Sequence, residues 1–525
     1  MLAGLVVSVA PLVLLIANRD WFFTPEGFLD PWQYVGFFRF YEDLDYSPEE
    51  YKLARLPWIL AGYGITRSMP TMPAAYLLHA IFLCALPLTF FGATYSMLRK
   101  TSLAAILALC LGFYTHAHGS GGWDYHNTAS GPLFLGTLWV TVLPSSRRGA
   151  PGALMLAGVM VALTLHTNIT LVNFLPALFY LHLVASRLEN HQWPSRSMLL
   201  GRIGWSVVGA LLATTVLGTI NWIVGRDFLF FESLLRKVTR FLTGSPDISG
   251  LPLLGAWVLG TGYLGLLAAT MVSGIGFLAL ERRKTGDDRE MPRALSRQFL
   301  GAALLWIVGQ FLGQPVLDWD TMAHPLIASC FLALAGLLSR GWPESVERRP
   351  ALVIVLTALV LTSCLVATLP PVSTVAALAA PGIGLVAAVV FVAPIAVYLW
   401  RPSAATVCLF VAVFALGNRL VAGSPQNYAA DDRCKVQPAV YQAIVDATSR
   451  LVSIDPMYYR VRIWFGENEV IYPAPQCGVS LGWMGYSIRS MSSMNYLTKP
   501  HPMPEVDDVP EDSIRQMRDS DAILT

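Results

Sequence analysis

Charged residues are scarce in this 525-residue chain. They make up 13% of the sequence, whereas soluble domains carry roughly 25%. Hydrophobic residues make up 54%, and the mean hydropathy is +0.53. This balance argues against an ordinary soluble enzyme and indicates a membrane protein. Because the sequence also lacks a basic block with interleaved aromatic residues, nucleic acid is not an expected partner.

Cysteine is rare and does not occur in the closely spaced pairs of a metal site. Five of the seven cysteines fall in apolar runs, where a thiol behaves as a small hydrophobic side chain. Cys434 and Cys477 lie instead in the large polar segment near the C-terminus. They predict a disulfide formed in an oxidising compartment. The alternative is two unpaired thiols.

Apolar runs recur along most of the chain. A spanning helix needs about 20 mostly apolar residues, and on that template we predict about thirteen spans. No internal repeat is apparent, which weakens the case for a transporter built from two related halves. The runs lie at 2–17, 73–98, 101–113, 128–144, 150–165, 169–184, 203–224, 251–280, 299–316, 321–338, 351–369, 383–400 and 403–417.

Lysine and arginine give the orientation of these spans. They cluster in the short loops after the even-numbered spans and are sparse in the other short loops, apart from residues 226–240. The positive-inside rule therefore places the even-numbered loops in the cytoplasm. The N-terminus is then cytoplasmic, and the C-terminal segment lies outside. We interpret the first run as an anchor, because a cleaved signal peptide should begin with positive charge.

The predicted organisation has three parts. Residues 1–426 form an all-α polytopic membrane domain, whose first outer loop (18–71) carries helices on the membrane surface. Residues 427–498 form a small external α+β module, with strand-like alternation at 458–465 and 470–472. The acidic, proline-rich segment 499–525 is predicted to be disordered.

Two short surface helices are predicted within the first outer loop. The first exposes Phe37, Phe38 and Phe40 to lipid. The second begins at Ser47 and ends near Pro57.

Asp30 begins the first of these helices and has two interpretations. As an N-cap in front of Pro31, it would contribute about 1 kcal/mol to the helix. As a catalytic base, it would act just outside the first span. The two roles are compatible, because the helix dipole keeps a capping carboxylate ionised.

The second outer loop, FYTHAHGSGGWDYHNTASG, brings His116, His118, Asp124 and His126 together in a glycine-rich link. One interpretation is a substrate-contacting loop, with Asp124 as a second acid or a hydroxyl anchor. A metal site would need the three histidines and Asp124 to converge, and their spacing is not that of a zinc motif. The remaining alternative is a solvated polar turn between two spans.

Two further outer segments carry charge. The segment GRDFLFFESLLRKVTRFLTG predicts an amphipathic helix, with Arg236, Lys237 and Arg240 off its apolar stripe. Phosphate is a natural partner for such a cluster, and anionic lipid head groups are the alternative. Farther along, Asp318 and Asp320 form an acid-x-acid pair, a pattern that can bind a divalent cation together with substrate phosphate.

Three stretches together resemble the GT-C class of membrane glycosyltransferases. They are FFTPEGFLDPW and YKLARLPWIL in the first outer loop and GGWDYHN in the second. The similarity is to bacterial relatives of the protein O-mannosyltransferases and of the aminoarabinose transferase that modifies lipid A. It is strongest in the N-terminal third of the chain.

This resemblance implies a GT-C-like fold and an enzyme of the bacterial inner membrane. Such an enzyme moves a sugar, with inversion, from a polyprenyl-phosphate donor to a hydroxyl or amine of a glycan, lipid or protein acceptor on the periplasmic face. In the family an acidic residue of the first outer loop is the general base, and Asp30 matches it. The protein mannosyltransferases carry an adjacent acidic pair there, whereas Pro31 follows Asp30 in this chain.

The resemblance also assigns supporting roles. Asp124 would be a second acidic residue of the site. Cations stabilise a departing phosphate, and Arg55 together with the Arg236, Lys237 and Arg240 cluster would supply them. His126 would also contact the substrate.

Two other functions fit a polytopic protein. A polysaccharide polymerase or ligase also joins lipid-linked sugars outside the membrane, but it centres its function on a large loop late in the chain. A transporter or flippase would carry charged or broken helices at mid-membrane, and charged residues are almost absent from the predicted spans.

Overall fold

A computed structural model of the chain describes residues 2–17, 34, 37–38, 41–42, 51–69, 71–114, 126–142, 151–190, 194–243, 291, 294–295, 297, 324–339, 342–347, 397, 401, 403, 405–406, 460–465, 496–497, 501–502 and 522–524.

Helices dominate the described residues. They are α1 (Leu2–Ala17), α2 (Leu56–Thr66), α3 (Thr71–Leu98), α4 (Thr101–Gly112), α5 (His126–Val142), α6 (Pro151–Thr167), α7 (Leu175–Asn190), α8 (Arg196–Ile223), α9 (Glu232–Thr243), α10 (His324–Ser339) and the single turn α11 (Glu344–Glu347). Two 3₁₀ segments, Tyr51–Ala54 and Ile169–Phe174, precede α2 and α7.

The chain divides into two compact units. The first unit comprises Met1–Asn18, Ala80–Gly122 and His126–Gln426, and the second comprises Arg19–His79, Trp123–Tyr125 and Asn427–Thr525. This division into two units does not test the predicted domain boundaries, which stay predictions.

Helix α4 lies at the centre of the first unit. Its residues from Ser102 to Gly112 are all buried, as expected for a helix that is apolar all round. Helices α1 and α10 pack on α4, and α10 also packs on α5. The ring of Phe331 in α10 makes edge contacts with Phe90 of α3 and with Tyr114 just after α4, at centroid distances of 6.3 and 5.8 Å.

Helices α5, α6 and α8 form a second packed layer in this unit. Helix α8 begins at a conventional cap, where the Ser195 hydroxyl accepts a hydrogen bond from the Met198 N–H at 3.3 Å. It crosses α6 with glycines at the contact, Gly158 on α6 and Gly209 on α8. These glycines let the two backbones approach directly.

Two described helices are long and apolar enough to cross a bilayer, Pro73–Leu98 in α3 and Arg196–Ile223, which is α8. Both match predicted spans. Helix α4, helix α6, most of α10 and the first part of α7 are apolar but shorter. The predicted runs at 251–280, 299–316, 351–369, 383–400 and 403–417 lie wholly or mainly outside the described residues, so the number thirteen stays a prediction.

The span predicted at 169–184 differs from the structure at both ends. It does not begin as an α-helix, and the helix that follows extends beyond residue 184. Residues Ile169–Phe174 form a 3₁₀ segment, and α7 then continues to Asn190. The Leu171 N–H donates to the Asn168 carbonyl at 3.1 Å, which is the i to i+3 bond of a 3₁₀ turn. The hydropathy pattern does not distinguish this tighter turn from an α-helix.

Aromatic side chains form the core of the second unit. Tyr34, Phe37, Phe38 and Trp58 are each fully buried. The Phe38 ring meets the Trp58 ring edge-on at 5.5 Å. The prediction that Phe37 and Phe38 face lipid is therefore wrong, because both side chains are fully buried within the protein and the Phe38 ring packs on Trp58 of α2. Phe40 lies outside the described residues.

Pro57 marks the start of a helix and not its end. It occupies the first turn of α2, where the missing N–H of proline costs nothing because first-turn amides have no partner within the helix. The expected helix that begins at Ser47 is replaced, in the described residues before Pro57, by the 3₁₀ segment Tyr51–Ala54.

A small parallel sheet also belongs to the second unit. Strand β1 (Arg460–Phe465) pairs with β2 (Tyr496–Leu497), β3 (His501–Pro502) and β4 (Ala522–Leu524). The strand predicted at 458–465 is therefore confirmed at β1, while 470–472 lies outside the described residues. Strands β3 and β4 lie within 499–525, and the predicted disorder of that segment stays a prediction.

Candidate functional site

Arg55 lies at the junction between the 3₁₀ segment and α2. Its side chain is 9% exposed, and its Nη1 donates to the Tyr34 hydroxyl at 2.5 Å. The guanidinium carbon also lies 5.9 Å from the centre of the Tyr34 ring. These contacts fix the planar cation in one orientation.

A second cation lies one turn before Arg55. The Lys52 side chain is also 9% exposed, and the Arg55 N–H donates to the Lys52 carbonyl at 3.2 Å. Burying positive charge is costly unless anionic or polar groups compensate for it. Lys52 and Arg55 thus place two buried cations within one turn of the chain.

Helix α5 begins at the end of the stretch predicted as the second outer loop. His126 is the first residue of this helix, and Asn127 beside it is fully buried. The Asn127 Oδ1 accepts a hydrogen bond from Asn168 Nδ2 at 3.1 Å. The Ser130 hydroxyl donates to the Asn127 carbonyl at 2.9 Å. The first turn of α5 is thus tied to the end of α6.

The same end of α6 is joined to α8 and to the segment before α9. His166 Nε2 lies 3.0 Å from the Thr214 Oγ1, within hydrogen-bonding distance. Its ring packs against Phe230 and Phe231, with centroid distances of 4.8 and 5.7 Å. We use the name outer cluster for Asn127, His166, Asn168, Thr214, Phe230 and Phe231.

Helix α9 carries the basic residues of the segment GRDFLFFESLLRKVTRFLTG. Arg236 donates through Nε and Nη2 to Glu232 Oε1, at 3.2 and 2.6 Å, and both side chains are more than half exposed. An exposed pair of this kind contributes at most about 1 kcal/mol. Lys237 and Arg240 lie in the same helix.

The turn before α9 is fixed by hydrogen bonds to backbone carbonyl groups. Asn221 Nδ2 donates to the Asp227 carbonyl at 2.7 Å, and the Arg226 N–H donates to the Asn221 carbonyl at 3.1 Å. Gly225 between them has a φ of +79°, a conformation that favours glycine. This turn aims the chain so that Phe230 and Phe231 reach His166.

The structure brings some predicted residues into described elements and leaves others outside. Arg55, Arg236 and the backbones of His126, Lys237 and Arg240 are described. Asp30, Asp124, Asp318, Asp320, Cys434 and Cys477 lie outside the described residues, so their roles and the disulfide stay predictions. Within the described residues, no group of His, Cys, Asp and Glu side chains has the arrangement of a metal site.

Sequence reasoning missed several residues that organise this region. They are polar or aromatic side chains whose partners are distant in sequence: Tyr34, Asn127, His166, Asn168 and Thr214. Only Asn168 and His166 gave a signal, because the polar triplet His166–Thr167–Asn168 interrupts two apolar runs.

Neither the models of known protein families nor the curated protein sequences give a match to this chain. Among solved structures, it is similar to an oligosaccharyltransferase from Archaeoglobus fulgidus, crystallised as a complex with zinc and sulfate. The TM-score is 0.42 and the sequence identity 12%, over 96% of this chain and 62% of the other. The chain thus spans less than two thirds of that protein. A likeness this loose transfers neither a family nor an activity.

Proposed function

We propose that this chain is a membrane glycosyltransferase of the GT-C type. It moves a sugar from a polyprenyl-phosphate donor to an acceptor hydroxyl or amine on the outer face of a bacterial inner membrane. Asp30 is the general base and Asp124 a second acidic residue. Arg55, His126, Arg236, Lys237 and Arg240 bind the substrate and its phosphate.

The observation that carries this proposal is the outer cluster. It joins the helix that begins at His126, directly after the GGWDY stretch, to the segment that leads into basic helix α9. An acid-bearing loop and a phosphate-binding helix must lie near each other for this reaction. The contacts of the start of α5 and of the segment before α9 with one turn of α6 support this proposal.

Contacts at the opposite end of the first unit support the topology. Lys100 Nζ donates to the Ser339 carbonyl at 2.5 Å, joining two segments that the positive-inside rule places together in the cytoplasm. Outer segments likewise meet outer segments in the outer cluster. The two described helices long enough to cross a bilayer, α3 and α8, support the membrane location.

The proposed reaction is a single displacement. The Asp30 carboxylate takes the proton from the acceptor O–H or N–H as that atom bonds to the anomeric carbon. The bond between the anomeric carbon and the phosphate oxygen breaks, and its electron pair leaves with the polyprenyl phosphate. The configuration at the anomeric carbon is inverted.

The departing phosphate then needs cations. Buried Arg55 and neighbouring Lys52 provide positive charge in a poorly solvated place, where electrostatic stabilisation is strong. In helix α9, Arg236 also forms an ion pair with Glu232.

The test replaces Asp30 in the native host and profiles its surface glycans. We expect Asp30→Asn to abolish the glycan that depends on this chain, because asparagine cannot accept the proton. Asp43→Asn is the matched control, since it makes the same change in the same loop. Both variants are checked for equal amounts of protein in the membrane.

Two results would count against the proposal at different levels. Normal glycans in the Asp30→Asn strain would remove Asp30 from the base role. Normal glycans in a strain that lacks the whole chain would remove the transferase function in that host. Mass spectrometry of lipids extracted from the purified protein adds an independent check, with polyprenyl phosphate as the expected species.

A further inference from the structure

The turn His166–Thr167–Asn168 at the end of α6 holds two outer segments at once. Asn168 reaches α5 through Asn127, and His166 reaches α8 and the segment before α9 through Thr214, Phe230 and Phe231. Each of these contacts joins parts of the chain at least 41 residues apart in sequence.

The burial of the asparagine pair makes the first connection rigid. Asn127 is 0% exposed and Asn168 is 4% exposed. A buried amide that loses its partner is left with an unsatisfied polar group. Amide hydrogen bonds also have a defined direction, so they fix the rotation of one helix against the next as well as the distance.

The second connection combines a hydrogen bond with ring packing. Thr214 holds the imidazole of His166, and the two phenylalanine rings, 5.3 Å apart and nearly perpendicular, pack on it. Such ring contacts prefer particular angles. They therefore set where the chain enters α9, which begins at Glu232, four residues before Arg236.

We propose that Asn168 and His166 are positioning residues, which fix the start of α5 and the start of α9 relative to each other. This inference rests on the proposed function, because these helix starts carry the groups assigned to substrate and phosphate. In enzymes a misplacement of about 1 Å can lower the rate about a hundredfold. Neither residue is proposed to touch the reacting atoms.

Thr164 provides a matched control. It lies on α6, one helical turn before Asn168 in the sequence. Its Oγ1 lies 3.0 Å from Thr137 Oγ1, so it also makes a buried polar contact between α6 and α5. Thr137, however, lies ten residues farther along α5 from Asn127. Thr164→Val therefore removes a similar interhelical contact between the same two helices without reaching the start of α5.

The experiment measures hydrogen exchange along the full-length chain in lipid nanodiscs. We expect Asn168→Ala to raise exchange in the first turn of α5 and to leave α9 unchanged. His166→Leu should raise exchange in α9 and in residues 228–231, and leave α5 unchanged. Thr164→Val should change neither region. In the native host, Asn168→Ala and His166→Leu should lower the dependent glycan at least about tenfold, and Thr164→Val should not.

Several results would overturn the proposal. If Asn168→Ala and His166→Leu raise exchange throughout the helices, as a general loss of stability would, the two residues are not positioning residues. If exchange changes locally but glycan output stays normal while Asp30→Asn abolishes it, the positioning role fails and the proposed function stands. If Asp30→Asn also has no effect, the proposed base role fails, and the local exchange pattern alone decides whether the turn fixes the two helices.

Discussion

The carboxylate of Glu347 accepts hydrogen bonds from both the backbone N–H and the hydroxyl of Ser102, with the hydroxyl 2.6 Å from Oε1. Ser102 lies in the first turn of α4, whose N-cap residue, Lys100, makes no side-chain cap. A residue 245 positions away thus supplies the acceptor that the helix start lacks. The negative charge also suits the positive end of the helix dipole.

We expect Glu347→Ala to destabilise the chain by about 1–3 kcal/mol, the cost of a lost cap and an unsatisfied buried group. Thermal unfolding of the purified chain in detergent measures the change. Glu344→Ala is the control, because Glu344 is an exposed carboxylate in the same short helix, and its loss should cost less. Equal stability of Glu347→Ala and the unchanged chain would contradict the capping role.

Lys100 gives a prediction about pH. Burial lowers the pKa of Lys100 below its ordinary 10.5, while Glu347 and Glu344 act in the opposite direction. The folded chain therefore binds fewer protons at this residue than the unfolded chain, so stability rises with pH between the folded-state pKa and 10.5. We expect this rise to disappear in Lys100→Met.

The measurement for Lys100 is the unfolding temperature of both proteins as the pH is raised towards 10.5. The comparison uses the difference between the two proteins, because other groups titrate equally in both. We expect the unfolding temperature of the unchanged chain to rise relative to that of Lys100→Met as the pH increases. A constant difference between the two proteins, or a relative fall for the unchanged chain, would contradict the lowered pKa.

The hydrogen bond from Arg55 to Tyr34 gives a third prediction. Tyr34→Phe removes one hydrogen-bond acceptor of a buried cation, and hydrogen bonds to charged groups contribute about 1.5–3 kcal/mol. We expect a loss of stability in that range. Tyr63→Phe is the control, because Tyr63 contacts Glu42 in an exposed position, where such contacts contribute about 0–1 kcal/mol. A similar loss of stability in both variants would mean that the buried hydrogen bond stabilises the chain no more than the exposed contact does.

Hydropathy predicted the helices that are both long and apolar along their whole length. Helices α3 and α8 carry long uncharged runs, and a bilayer requires such runs, so their positions follow from the sequence. The amphipathic stripe likewise predicted α9. These features are local, and each can be recognised within about 20 residues.

Contacts between distant residues could not be predicted in this way. Asn127 and Asn168 are 41 positions apart, and nothing in either neighbourhood names the other. Phe37 and Phe38 show a different limit. Their apolar character predicted that something covers them, but lipid and protein satisfy the same pattern, and in the structure protein covers them.

The crossing of α6 and α8 sets an upper limit on side-chain size. A Cβ atom added at Gly158 would lie 1.8 Å from the Ser206 carbonyl oxygen, and one added at Gly209 would lie 2.0 Å from the Met155 carbonyl oxygen. Both neighbours are backbone atoms, which cannot rotate away as a side chain can. The helices must therefore separate to accept even a methyl group.

We expect Gly158→Ala and Gly209→Ala each to destabilise the chain by about 1–3 kcal/mol or more, the usual cost of overpacking. Gly204→Ala is the matched control on α8, because a Cβ there meets nothing within 4 Å. This variant should gain up to about 1 kcal/mol, since alanine favours a helix more than glycine does. Thermal unfolding in detergent separates the two outcomes by sign. If Gly158→Ala and Gly209→Ala were as stable as Gly204→Ala, α6 and α8 would not cross with their backbones in contact.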